Sequence, residues 1–176
     1  MPSISPKFVA VALLALPPLA LWGYKDGPPP SMAGGFGGAT CHMCHDGNPM
    51  NAPGGSLTVE GLRETYTPGA TYPLTVTLRR AGLRTGGFQL AARFVGGEPA
   101  GSWRVDGIRS RIAPGGFVQH TERGTEAPSE GSNQWMVEWI APAAGEVVFH
   151  AAGNASNDDA SALGDFIYTA EVRAKP

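Results

Sequence analysis

Gln134 to Ile140 reads QWMVEWI, and its alternation decides the fold. Trp135, Val137 and Trp139 fall on one side of an extended chain, and Gln134, Met136 and Glu138 fall on the other. Successive side chains of a strand point to opposite faces, so this is a strand with one buried and one wet face. The same texture runs outward in both directions. Before it come Leu57–Glu60 (LTVE), Thr71–Leu78 (TYPLTVTL), Phe88–Val95 (FQLAARFV, with Gly-Gly on both sides), Ser102–Val105 and Phe117–Thr121. After it come Glu146–Ala151 (EVVFHA) and Phe166–Val172 (FIYTAEV). That makes seven or eight short strands with turn residues between them, and no segment holds a helical period beyond two turns. The 25 Gly and 16 Pro among 176 residues agree, since both break helix interiors. Many short strands at this spacing predict a sandwich or barrel. The expected fold over residues 57–176 is therefore all-β.

Composition excludes several classes. A 42% hydrophobic and 16% charged chain is too apolar for wholesale disorder. A net charge of −2 offers no basic excess for a nucleic acid. Two cysteines do not make a disulfide-stapled miniprotein. The length suits one ordinary domain with a tail.

Residues 1–24 read as a leader. Met1 to Lys7 ends in a positive charge, and Phe8 to Trp22 (FVAVALLALPPLALW) carries none. This is the layout of a secretory signal. The apolar run is shorter than the ~20 residues of a spanning helix and is interrupted by Pro17-Pro18. The nearest small-x-small cleavage pattern, Pro18-Leu19-Ala20, is poor, and Gly23 is followed by no lipoprotein cysteine. The expectation is export to the periplasm or cell envelope, with the segment either cleaved or kept as an inner-membrane anchor. Residues 25–39, with three prolines and then a Gly-rich run, read as a spacer, stiff first and flexible after.

Residues 40–56 hold the sharpest signal. Cys41-His42-Met43-Cys44-His45 is a C-x-x-C-H, the attachment signature of c-type haem. Two thiols add to the two vinyl groups on one porphyrin edge, and two intervening residues let one tight turn present both sulfurs. The following His45 is then the proximal iron ligand. Other readings of the pair stay open. A redox dithiol wants a strand before it and a helix after it, but Gly-rich loop stands on both sides. Structural zinc wants four ligands, and no second cysteine pair exists. A Cys41–Cys44 disulfide suits an oxidising compartment.

A sixth ligand must come from elsewhere, because His42 and Met43 lie inside the motif. His120 ends FVQH at the mouth of a strand, far enough along the chain to approach from the face opposite His45, and is the distal candidate. His150 in EVVFHA and Met50 in the Pro-Met-Asn loop are the alternatives. Met136 alternates with Trp135 and Val137 and reads as packing or surface. Asn154-Ala155-Ser156 is a glycosylation triplet of the kind common by chance. Asn154, Asn157, Asp158, Asp159 and Asp165 form a polar cluster, readable as a calcium loop or, more simply, a solvated one. No Ser-His-Asp set, phosphate loop or paired acids stand out, so no enzyme is expected.

From Gly38 to about Thr169 the chain resembles the bacterial reeler-like, choice-of-anchor domain family. The resemblance rests on GATCHMCHDG at the start, GFQLAA at 87–92, FVQHT at 117–121, QWMVEWIAPAAGEVVFHAAGNASND at 134–158 and GDFIYTA at 164–170. It implies a β-sandwich and, for members carrying CxxCH, a covalent haem, so the expected fold is an all-β, immunoglobulin-like (reeler-type) β-sandwich over residues 57–176 with a haem-binding loop at its N-terminal edge. His120 matches a histidine usual in that strand. Position 150 is His where Tyr is common, which adds a candidate ligand. The expectation is a monohaem c-type cytochrome that transfers single electrons to or from a membrane-bound or periplasmic redox complex. Two alternatives are a non-catalytic reeler-like scaffold with structural haem or disulfide, and a haem sensor or enzyme with an open sixth site.

Overall fold

The computed structural model describes residues 24–159 and 161–176. The expected leader therefore lies, apart from Tyr24, outside the described residues. Among the described residues no helix is long and apolar enough to cross a membrane.

The described chain is all-β. Nine strands follow one another: β1 (Gly55–Glu60), β2 (Thr71–Arg80), β3 (Thr85–Phe94), β4 (Ser102–Arg104), β5 (Ser110–Ala113), β6 (Phe117–His120), β7 (Ser132–Ile140), β8 (Val147–Ser156) and β9 (Phe166–Ala174). They form two antiparallel sheets, ordered β1-β2-β7-β4 and β5-β6-β3-β8-β9.

The alternation of β7 is the alternation of burial. Trp135, Val137 and Trp139 face the core, while Met136 is 78% exposed. Trp139 meets Phe149 of the opposite sheet edge-on, with centroids 4.8 Å apart, and Tyr66 at 5.4 Å. Such pairs add about 0.5–1.5 kcal/mol to plain burial. Both indoles keep a hydrogen bond in the core: Trp135 Nε1 donates to the Gly124 carbonyl and Trp139 Nε1 to the Ala100 carbonyl, each at 2.9 Å. Phe88 and Leu90 of β3, Phe149 and Ala151 of β8 and Tyr168 of β9 supply the facing layer.

Three features depart from the expected elements. β5 is a strand of four residues, too short to register as alternation, and it exists because it pairs with β6. β3 begins two residues before the Gly86-Gly87 pair ends, although that pair reads as a turn. β8 runs on past Ala151 through Ala-Gly-Asn-Ala-Ser, residues of low strand propensity. Pairing on both sides overrides that propensity, because Asn154 lies opposite Gly87 of β3 and Ile167 of β9. These unexpected strand ends are the part of the sheet that carries the site.

Much of the run expected as a spacer is packed. It crosses the outer face of the five-stranded sheet, where Gln89 Nε2 donates to the Pro29 carbonyl (3.0 Å) and Gln89 Oε1 accepts from the Met32 N–H (2.6 Å). Ala33 is 1% exposed among Ala91, Ala113 and Phe117. Farther along, the Asn51 N–H donates to the Ile167 carbonyl at 2.8 Å. The CxxCH segment thus lies between two fastened stretches of one strap, residues 24–51.

Candidate functional site

A cavity of about 690 Å³ opens where the strap, the extended ends of β3 and β8 and the loop before β9 meet. Its walls include Cys41, Cys44 and His45 from the strap and His120 from β6. Gly86, Gly87, Asn154 and Asp165 line it too. His150 and Met50 are not on its walls.

The motif residues sit on a short 3-10 turn, Cys41–Met43. Thr40 caps it, its Oγ1 accepting from the His42 N–H at 3.2 Å. The N–H groups of Cys44 and His45 both donate to the Cys41 carbonyl, at 3.2 and 3.0 Å. One tight turn therefore brings both thiols and His45 to one cavity. The thiols are not joined. Burial, with Cys44 alongside, pushes the Cys41 thiol up to about 12. A reactive dithiol needs the opposite shift. His42 turns away, its Nε2 3.0 Å from the Asn48 carbonyl, and Met43 is 68% exposed.

His45 is held from behind. Its Nδ1 lies 2.7 Å from Oδ2 of Asp165, a residue 2% exposed. Asn154 Nδ2 donates to the same oxygen at 3.0 Å. A carboxylate can only accept, so His45 carries a proton on Nδ1. Asn154 Nδ2, 3.0 Å from His45 Nδ1, is then a second donor to the shared oxygen, and it also lies 3.4 Å from His45 Nε2. Asn48 clamps the two loops together, its Nδ2 donating to the carbonyls of Gly164 (2.7 Å) and Asp165 (3.1 Å). Asn154 Oδ1 and Asp165 Oδ1 are buried and have no hydrogen-bond partner among the described residues.

His120 enters from the end of β6, 7% exposed. Its Nδ1 lies 3.0 Å from the Phe88 nitrogen and 3.1 Å from the Phe88 carbonyl oxygen, and its Nε2 lies 3.2 Å from the Tyr24 carbonyl oxygen. Burial holds its pKa below the ordinary imidazole value, so the ring is neutral. The ring occupies space that only glycine leaves, because a Cβ on Gly87 would stand 2.6 Å from its Cε1.

The other sequence candidates lie elsewhere. His150 sits on the outer face of β8 against the strap, edge-on to Phe36 with centroids 5.2 Å apart and 3.6 Å from Glu171. Burial lowers its pKa, partly offset by Glu171. Met50 is 47% exposed and accepts from Thr40 Oγ1 at 3.4 Å. Met136 projects from the other sheet. The polar cluster divides: Asn157, Asp158 and Asp159 are exposed and bond locally, whereas Asp165 turns in to His45. Among the described residues, no three His, Cys, Asp or Glu side chains gather as they would for one bare metal ion.

Sequence reasoning read Asp165 and Asn154 only as part of a polar loop, solvated or calcium-binding, and Gly87 as part of a turn, and named none of them as a partner of the CxxCH segment. Asp165 stood in an acidic loop, Asn154 in a glycosylation triplet and Gly87 in a turn. No local signal in the linear sequence ties them to the motif: Asp165 stands just before β9, 120 residues from His45, and only the fold brings the two together.

No protein-family model matches the chain, and no curated protein matches it in sequence. Among solved structures it is similar to the human F-spondin reeler domain (fragment 1), at 23% identity over 73% of this chain and 95% of that one, with a TM-score of 0.47. It is similar to the Reelin-N domain of F-spondin at 21% identity, over 77% and 96% of the two chains, with a TM-score of 0.49. BslA, a bacterial hydrophobin, is similar at 19% identity, over 72% and 96%, with a TM-score of 0.39.

Proposed function

We propose that the chain is a monohaem c-type cytochrome of the cell envelope that passes single electrons, built on a reeler-type sandwich. The observation that carries this reading is that one cavity is lined by Cys41, Cys44, His45 and His120 together. Its volume, about 690 Å³, falls in the range of cofactor pockets. The donor set suits the group: two free thiols, one histidine with its Nδ1 proton on a carboxylate, and one buried neutral histidine. The unpartnered Asp165 Oδ1 beside the cavity is a negative group that a cationic centre would balance.

A haem c bound here would supply one-electron exchange between ferric and ferrous iron. Cys41 and Cys44 would hold it by adding their S–H groups across the two vinyl bonds. Each addition would form a carbon–sulfur bond and place the thiol hydrogen on the other vinyl carbon. His45 offers Nε2 as the proximal ligand. In the structure His120 Nδ1 accepts from the Phe88 N–H and Nε2 faces the Tyr24 carbonyl, so His120 would hold the iron through Nε2 only after that contact is released and the ring proton moves to Nδ1, where the Phe88 carbonyl at 3.1 Å can accept it. Two imidazoles give a lower potential than imidazole with thioether. Held by both His45 and His120, the iron would have no place for a substrate, and the partner would be a membrane-bound or periplasmic redox complex.

A second reading keeps the sixth place open for a small ligand, as in a sensor or enzyme. It is favoured by the Tyr24 carbonyl 3.2 Å from His120 Nε2, which engages the nitrogen that would otherwise ligate. The test is the mass and spectrum of the chain exported alongside haem-maturation machinery. The expected result is the polypeptide plus one haem, haem that survives acid-acetone, and a low-spin spectrum indifferent to carbon monoxide. High-spin haem that binds carbon monoxide selects the second reading. Extractable haem, no Soret band or a Cys41–Cys44 disulfide overturns both and leaves a scaffold module.

A further inference from the structure

We propose that Asp165 is a positioning residue that sets the electronic character of His45; this rests on the haem reading above. Asp165 stands on the loop just before β9, 120 residues along the chain from the motif, and nothing in CxxCH calls for it. Three observations converge on it. Its Oδ2 is 2.7 Å from His45 Nδ1, a short distance typical of a charge-assisted hydrogen bond. Its side chain is buried, and among the described residues no Lys or Arg pairs with it, His45 being the one titratable partner. Its other oxygen, Oδ1, is buried without a donor.

A carboxylate buried in this way costs folding free energy unless something compensates it. The neutral amide of Asn154 does so only in part. A positive centre on the far side of the His45 ring completes the balance. Carboxylate–histidine–metal arrangements do two things: they fix which ring nitrogen is free, and they raise the basicity of that nitrogen. Asp165 thereby draws the Nδ1 proton of His45 toward itself and gives Nε2 partial imidazolate character. A more basic axial ligand favours ferric over ferrous iron, so Asp165 lowers the reduction potential. Asn154 moderates this, because its N–H takes part of the negative charge of Oδ2.

The test is spectroelectrochemical titration of the covalently loaded, full-length protein in three variants. Asp165→Asn keeps the shape but removes the charge, and its midpoint potential is expected above that of the unaltered chain. Asp165→Glu is expected to bring the potential back toward the unaltered value. Asn154→Ala frees Oδ2 from one donor and is expected to fall below it, which keeps the proposal testable even if Asp165→Asn fails to fold. One covalent haem per chain in all variants, with potentials equal to the unaltered protein, would overturn this proposal and leave the haem reading standing. No covalent haem on the unaltered chain would overturn the haem reading and this proposal with it.

Discussion

His45 and His120 reach one cavity by different means. His45 rides on a tight turn and is fixed through Asp165 and Asn154, while His120 is placed by the end of β6 and by the absence of a side chain at Gly87. That absence yields a prediction at this scale. Alanine at position 87 would put a methyl 2.6 Å from His120 Cε1, closer than real side chains tolerate. The ring must then swing off its contact with Phe88. Gly87→Ala should keep the covalent haem and the mass of the loaded chain but turn the ferric spectrum partly high-spin. An unchanged low-spin spectrum would mean that His120 does not depend on Gly87.

At the scale of elements, β7 makes the sharpest contrast, because neighbouring residues have opposite environments. Trp139 is fully buried between Tyr66 and Phe149, so Trp139→Ala should cost about 3–5 kcal/mol. Met136 is 78% exposed, so Met136→Ala should stay within about 0.5 kcal/mol. Denaturant melts of the two variants check the register; equal midpoints would contradict it. Strands like β7 were legible in the sequence because one apolar face against one polar face leaves a period of two. The ends of β3 and β8 were not legible, for Gly86-Gly87 and Ala152–Ser156 show no such contrast and become strand only through pairing partners on both sides. The motif was legible because its chemistry is local. Its supports were not, since Asp165 and Asn154 act across the fold and look like ordinary loop residues in the linear chain. The spacer reading of 25–39 missed its packing for a related reason: Gln89 and Ala91, which hold it down, are visible as outward-facing only once β3 has a place in the sheet.

At the scale of the whole molecule, the sandwich is the back to which the strap fastens the Cys41–Met43 turn, and the proposed function requires residues 1–24 to direct export, where haem is attached. Deleting residues 1–24 should leave the chain in the cytoplasm without haem, as read by fractionation and haem stain. Haem-loaded protein from that deletion would remove the role given to the segment. The central claim is that one haem lies between His45 and His120, and the ferric visible spectrum of His120→Ala, taken beside His150→Ala and Met50→Ala, tests it most directly. The account predicts that the His120 variant alone becomes high-spin and binds carbon monoxide in the ferrous state, with covalent haem retained in all three. A low-spin His120→Ala protein beside a high-spin His150→Ala or Met50→Ala protein would contradict it and move the sixth ligand to that residue.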